Sequence, residues 1–307
     1  MSILARLKEI EKLPTLPEIL LKIQSLINSD ASDAASLAHL IKQDPALSST
    51  ILKTANSAYY NIAKRRISSI TEAITRIGFN EVLKISISMS VIEQFANTKC
   101  TIGYPSFWRH SLTAASLTTI IADVMNDEEL REYRQDLFLA GLLHDIGILI
   151  YDQFFHEEFT NIINYKIDEE TTYLIAENET SPRENHAFIG GALLEIWKLA
   201  LPIIVSVRNH HSPRKAPENL RKIVAIVALT EYVLCNGRVG SFEGSFDEID
   251  ESVWEITRIS PKDVDTLFYK ADAEAGKTDI LLHTGAGHYR SLEPRRESQE
   301  HTPLRPI

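Results

Sequence analysis

The sequence predicts an all-α protein, on three observations. Apolar residues recur at helical spacing along most of the chain, and no segment alternates as a half-buried strand does. Proline, glycine and short polar residues punctuate the periodic stretches where helices start and stop. At 307 residues, 44% hydrophobic and 24% charged, the chain has ample apolar material for a core.

The first helices follow in order. Thr15-Leu-Pro-Glu18 has the form of a capping box with Pro17 in a first turn, and Leu16, Ile19, Leu20, Ile23, Leu26 and Ile27 then recur at helical spacing. A second helix carries Leu37, Leu40 and Ile41 and stops before Asp44-Pro45, because a residue ahead of proline avoids the helical region. Asp44 caps the next helix, which presents Leu47, Ile51 and Leu52. A loop spans Asn61 to Arg66, where Lys64-Arg65-Arg66 reads as a solvated basic turn. The helix through Ile70, Ala73, Ile74 and Ile77 closes at Gly78 as a left-handed cap, and Asn80 starts another through Val82, Leu83 and Ile85. These helices make an N-terminal subdomain over residues 1–100. The stretch Asn97 to Ser106, with Gly103 and Pro105, is the expected internal boundary.

Residues 101–275 form the second half. Successive helices carry His110, His144-Asp145 and His186, another ends near His210, and the next carries Glu231. Leu201-Pro202 and the run from Ser212-Pro213 to Pro217 punctuate the last three. Gly237 to Ile249 is glycine-rich and acidic, hence a loop, and Ser260-Pro261-Lys-Asp263 starts a final helix with a cap and a first-turn proline. Residues 276–307 are expected to be a disordered tail, since Tyr289 to Ile307 has almost no apolar residues to bury.

Several classes are disfavoured. A net charge of −10 repels a phosphate backbone, so non-specific nucleic-acid binding is not expected. No uninterrupted run of about 18 apolar residues suggests a membrane span. The N-terminus lacks the apolar centre of a secretory signal, which points to a cytoplasmic protein. Cys100 and Cys235 lie far apart and outside any C-x-x-C pair, which argues against a disulfide framework or a thiolate zinc site.

The chemistry sits in His110, His144-Asp145, His186, His210-His211 and Glu231. Imidazole and carboxylate together are what proteins use to hold one or two transition-metal ions. Asp145 lies among Leu142, Leu143, Ile146, Ile148 and Leu149, where a carboxylate is costly unless paired or bound to a cation. Adjacent helical residues diverge by about 100°, so His144 can give a ring nitrogen to one ion while Asp145 bridges two. Gly147 lets another backbone approach closely. A lone histidine on an apolar helix reads as a hydrogen-bonded core residue; a whole set of them needs a common partner. His39, His156, His283, His288 and His301 show no such arrangement. Arg208, Arg214 and Lys215, near the histidine pair, are candidates to receive an anion, although basic residues at a helix end need no such purpose.

The order His, His-Asp, His, His-His, acid is similar to the HD superfamily of metal-dependent phosphohydrolases, particularly the two-metal branch that includes the HD-GYP cyclic-di-GMP phosphodiesterases. The chain as a whole resembles the HDOD family of bacterial signalling proteins. The marks are Leu13-Pro14-Thr15-Leu16-Pro17, Ile41-Lys-Gln-Asp44-Pro45-Ala46-Leu47, Leu52-Lys-Thr-Ala55-Asn56-Ser57-Ala58, Ser69-Ile70-Thr71-Glu72-Ala73-Ile74 with Ile77-Gly78, and Ala140-Gly141-Leu-Leu-His144-Asp145-Ile-Gly147.

This resemblance implies a multi-helix HD-like bundle packed with its N-terminal subdomain as one unit. It also implies two divalent transition-metal ions (iron, manganese or zinc). His110, His144, Asp145 and Glu231 would hold one, and Asp145 with His186, His210 and His211 the other. The implied function is signal transduction through a protein partner, with catalysis on a phosphate-containing ligand as the alternative. Three departures matter: Ile148 stands where the active phosphodiesterases carry lysine, no Gly-Tyr-Pro follows His211, and Glu231 stands where aspartate is usual.

Overall fold

The computed structural model describes residues 3–285 except 12, 28–32, 62–64, 97–100, 183, 238, 240–243 and 245–248. Among them every regular element is helical. The first six helices are α1 (Ile3–Lys8), α2 (Glu18–Ile27), α3 (Ala34–Lys42), α4 (Pro45–Ala55), α5 (Ile70–Ile77) and α6 (Phe79–Phe95). Next come α7 (Tyr104–Met125), α8 (Glu129–Glu132), α9 (Arg134–Leu143), α10 (Ile146–Phe154), α11 (His156–Asp168) and α12 (Tyr173–Thr180). The last are α13 (His186–Ile196), α14 (Leu201–Asn209), α15 (Arg221–Asn236), α16 (Glu251–Thr257) and α17 (Val264–Gly285). Lys64, Cys100, His288, His301, most of the expected loop at 237–249 and the expected tail beyond 285 lie outside the described residues.

Local signals place most starts. The Asp44 carboxylate accepts from Leu47 N at 2.9 Å with Pro45 opening α4, and Ser69 caps α5 through Glu72 N at 3.2 Å. Ser260 and Asp263 form a reciprocal capping box at the 3₁₀ turn that leads into α17. Two expectations shift. Helix α2 begins at Glu18, so Pro17 precedes it and offers its carbonyl to Leu20 and Leu21. Gly78 does take a positive φ of 99°, but its ψ of 150° is extended: it is a joint between α5 and α6, not a left-handed cap.

The larger apolar core runs from Ile3 to Val227 and draws on both halves of the chain. Across the expected boundary, Phe95 packs on fully buried Trp108 at 6.0 Å between ring centres, and the Tyr104 hydroxyl donates to Ile92 O at 2.8 Å. Farther along, the Trp197 indole N–H donates to Pro14 O at 2.7 Å. Helix α17 packs on α4, α7 and α15 and continues past position 276 to Gly285, because Thr284 meets Thr54 at 3.0 Å and Asp279 binds Arg109 at 2.7 Å. The stretch Arg134–Phe154 is long and apolar enough to cross a membrane, but 89% of its most apolar window is buried inside the bundle, as in a core helix.

Two glycines set the approach of the helices around His144-Asp145. A Cβ at Gly141 would lie 2.8 Å from Ala114 O, one turn beyond His110 on α7. A Cβ at Gly147 would lie 1.9 Å from His186 O and 2.9 Å from Gly190 N on α13. The backbone freedom read from Gly147 is therefore used for close contact, and both contacts bring ligand-type side chains to one point.

Gly147→Ala should destabilise the protein by at least about 3 kcal/mol, since backbone would have to move away. Gly276→Ala, in α17 with nothing within 4 Å, should instead stabilise it by up to about 1 kcal/mol. Urea unfolding midpoints of the two variants check the contrast.

Candidate metal centre

His144 and Asp145 occupy the joint between α9 and α10 rather than the interior of one helix. His144 ends the first, and Asp145, at φ −97° and ψ 7°, precedes the second. Around that joint the structure gathers seven side chains in two groups: His110, His144, Asp145 and Glu231 in one, and His186, His210 and His211 in the other. Six of these residues are buried and His211 is partly so.

In the first group Glu231 Oε2 lies 2.9 Å from both His110 Nε2 and His144 Nε2, which are 3.2 Å apart. Asp145 Oδ2 lies 3.2 Å from His144 Nε2 and 3.6 Å from His110 Nε2. The other oxygen, Oδ1, faces the second group, at 3.7 Å from His186 Nε2 and 3.8 Å from His210 Nε2. It is buried without a hydrogen-bond partner. In the second group His186 Nε2 is 3.3 Å from His210 Nε2 and 3.1 Å from His211 Nε2.

The partners on the far side of the rings decide which nitrogens carry protons. His144 Nδ1 lies 2.8 Å from Gly141 O, and His210 Nδ1 lies 2.7 Å from Val207 O. A carbonyl oxygen only accepts, so both Nδ1 atoms donate; the Nε2 of a neutral His210 ring then turns a bare lone pair inward, while His144 Nε2 faces the carboxylates of Glu231 and Asp145. Converging lone pairs and an orphaned carboxylate oxygen repel one another in a dry interior. Divalent cations among them would remove that repulsion, and mixed nitrogen and oxygen donors suit iron, manganese or zinc. The residues present fit such a group.

Charge is unequal between the halves. Burial opposes a charged ring at His110, His144 and His186. The neighbouring carboxylates outweigh it: Glu231 and Asp145 for the first two, Glu177 and Asp145 for the third. All three are held above the usual histidine range. Burial and crowding by neighbouring imidazoles push His210 and His211 well below it. Burial raises a carboxylate, yet the imidazoles hold Asp145 and Glu231 below the normal range.

Two neighbours were missed in the sequence. Buried Glu177 on α12 accepts from His186 N at 2.6 Å and lies 2.7 Å from His186 Nδ1. The Cys235 thiol donates to Glu231 Oε1 at 2.6 Å, and its position one turn after Glu231 was a legible signal. The residues expected to receive an anion do not join the two groups. Arg208 pairs with Glu195 at 2.8 Å and stacks over Phe188, Arg214 pairs with Asp250 at 3.1 Å, and Lys215 is exposed. Ile148 is fully buried. A cleft of about 100 Å³ reaches His210, His211 and Glu231, walled by Leu174, Tyr232 and Val253, with Asp250 at its lining.

The sequence model of the HDOD domain family matches residues 13–213. A protein of Treponema pallidum (strain Nichols), described as uncharacterized, is 26% identical over 250 residues, 81% of this chain. The chain spans about half the length of that curated relative (47%). An HDOD domain protein with unknown function from Geobacter sulfurreducens superposes with a TM-score of 0.76 at 26% identity, covering 92% of this chain and 97% of that one. Two more distant structures share the fold. A candidate signal transduction protein from Marinobacter aquaeolei VT8 has a TM-score of 0.74 at 20% identity, over 94% of this chain and 62% of its own. A candidate metal-dependent phosphohydrolase from Shewanella amazonensis SB2B has a TM-score of 0.57 at 23% identity, over 90% and 96% respectively.

An ion entering the first group must displace protons that Glu231 and Asp145 hold on His110 and His144. Apparent affinity for a divalent ion should therefore rise with pH throughout the range below the raised histidine values and level off once they are passed. Calorimetric titrations with manganese in buffers of different ionisation enthalpy, at pH values on both sides of 6.5, should show protons released on binding and weaker binding at the acid end.

Proposed function

The chain belongs to the HDOD family, and from that premise we propose that it is a cytoplasmic regulatory protein of bacterial signal transduction. Its HD-like half holds two divalent transition-metal ions, and it acts through contacts with a protein partner. One observation carries this reading: a full set of ligand side chains stands beside a cleft with no cation committed to gripping phosphate. Asp145 divides its two oxygens between the histidine groups, as a bridge between two ions would. Yet the position next to Gly147 holds buried, apolar Ile148, and Arg214, which follows the cleft residue Pro213, is paired with Asp250.

In this reading His110, His144 and Glu231 would hold one ion and His186, His210 and His211 the other, with Asp145 between them a ligand available to both. The carbonyls of Gly141 and Val207 orient two of the rings, and the Cys235 thiol occupies the Glu231 oxygen that faces away from them. Buried, oriented and charge-matched in this way, the ions stabilise the bundle in which they sit.

The cleft favours a second reading, a metal-dependent phosphohydrolase, because it gives a small phosphate-containing ligand a path to His210, His211 and Glu231. Bound ions would supply Lewis acidity and acidify water at neutral pH. At about 100 Å³ the cleft is far smaller than the 300–1,000 Å³ of ordinary ligand pockets, and the acidic lining of Asp250 and Glu231 opposes a polyanion.

Elemental analysis of untagged protein purified without chelator should find two ions per chain, and Asp145→Ala should lose both. A metal-free wild type would sink both readings. With metal present, a phosphate-release screen over nucleotides and cyclic dinucleotides should be blank; turnover abolished in Asp145→Ala would instead establish the second reading.

A further inference from the structure

Glu177 lies outside the ligand set, on a helix that contributes none of the seven residues. It is nonetheless a fully buried carboxylate, and both its oxygens are spent on one residue. Oε1 accepts the backbone N–H of His186 at 2.6 Å, and Oε2 lies 2.7 Å from its Nδ1. A buried carboxylate is expensive to maintain, and an apolar side chain of similar size would fill the same space at lower cost. Its placement therefore calls for a reason beyond packing.

The reason lies on the other edge of the ring. His186 Nε2 is 3.3 Å from His210 Nε2 and 3.1 Å from His211 Nε2. The His210 ring is already committed to an Nδ1–H by Val207 O, so its Nε2 bears a lone pair. If the neutral His186 ring carried its proton on Nε2, it would simply donate to one of these neighbours. The three rings would close into a self-satisfied hydrogen-bonded cluster. A carboxylate accepts only, so Glu177 holds the proton on Nδ1 and leaves Nε2 bare.

We propose that Glu177 is a positioning residue that fixes His186 as the Nδ1–H tautomer, so keeping the histidine triad open to a divalent cation. This rests on the two-ion reading above and assigns the selectivity of the second ion site to a residue that touches no ion. The same carboxylate adds negative charge beside the histidine-only group, toward which Asp145 Oδ1 also faces.

The test uses the full chain and manganese alone. Glu177→Gln keeps the size of the side chain but has one acceptor where two are needed. Its amide group faces either the backbone N–H, which it cannot accept, or Nδ1, to which it donates. In the second case the His186 proton moves to Nε2. The expected result is one ion per chain bound as in wild type, with affinity for the second ion weakened about 10- to 100-fold. Glu177→Asp, which retains two acceptors, should recover part of it.

Two ions bound equally well by wild type and Glu177→Gln would overturn the role of Glu177 while leaving the metal centre standing. A wild type that takes no manganese would overturn the two-ion reading and this one with it. Should the variant not fold, ¹⁵N spectra of chelated wild type decide: a neutral His186 ring protonated on Nδ1 supports the assignment, and one protonated on Nε2 overturns it.

Discussion

Two carboxylates placed inside an apolar bundle govern the rest of this molecule. Asp145 and Glu231 are almost completely withdrawn from water, and neither meets a lysine or arginine there. Their neighbours are imidazoles, which are charged or neutral according to what else is present. That choice makes the interior responsive: an interior salt bridge to arginine would be permanent, whereas carboxylate with imidazole exchanges protons for metal. The neighbouring architecture follows from it. Helices α7, α9, α10, α13, α14 and α15 each deliver a polar group or a flanking contact to one point, and Gly141 and Gly147 remove the side chains that would keep them apart.

The helical character, the cap at Asp44 and the set of potential ligands were legible from residue type and spacing. Those are local properties, carried by the chain whatever it packs against. The break between α9 and α10 was not. Leu-Leu-His-Asp-Ile-Gly-Ile contains no proline, and its one cap-type residue, Asp145, precedes α10 without making a side-chain capping hydrogen bond, so the apolar stretch reads as one helix. Glu177 was invisible for another reason. It is one of several acids in this stretch, with Glu169, Glu170 and Glu179 nearby, and its pairing with His186 across a loop is decided by tertiary packing. Arg208 misled in the opposite direction: nearness in sequence to His210 suggested a shared purpose, but the turn of α14 directs it to Glu195 on α13.

The asymmetry between the two histidine groups also bears on how such a centre works. One has two carboxylates facing two imidazoles; in the other, Asp145 Oδ1 faces His186 and His210, and Glu177 holds the far edge of His186. Proton affinity differs accordingly: carboxylates hold His110, His144 and His186 above the usual histidine range, while burial and neighbouring imidazoles hold His210 and His211 below it. A cation in the first group would compete with protons for both imidazoles. In the second it would compete for His186 alone.

The apolar core that passes without interruption from Ile3 to Val227 has a thermodynamic consequence. Helices α2 to α6 share their interior with the helices that carry the ligands, and Trp197 is bonded to Pro14 across the two. Elements that share a core lose part of their packing when any one of them leaves it. Free energy gained by an ion at Asp145 would then be credited to each element that unfolds with the site, α2 and α3 included if they open with it. Filling of the proposed centre would in that case be read as stiffness in helices that contribute no ligand.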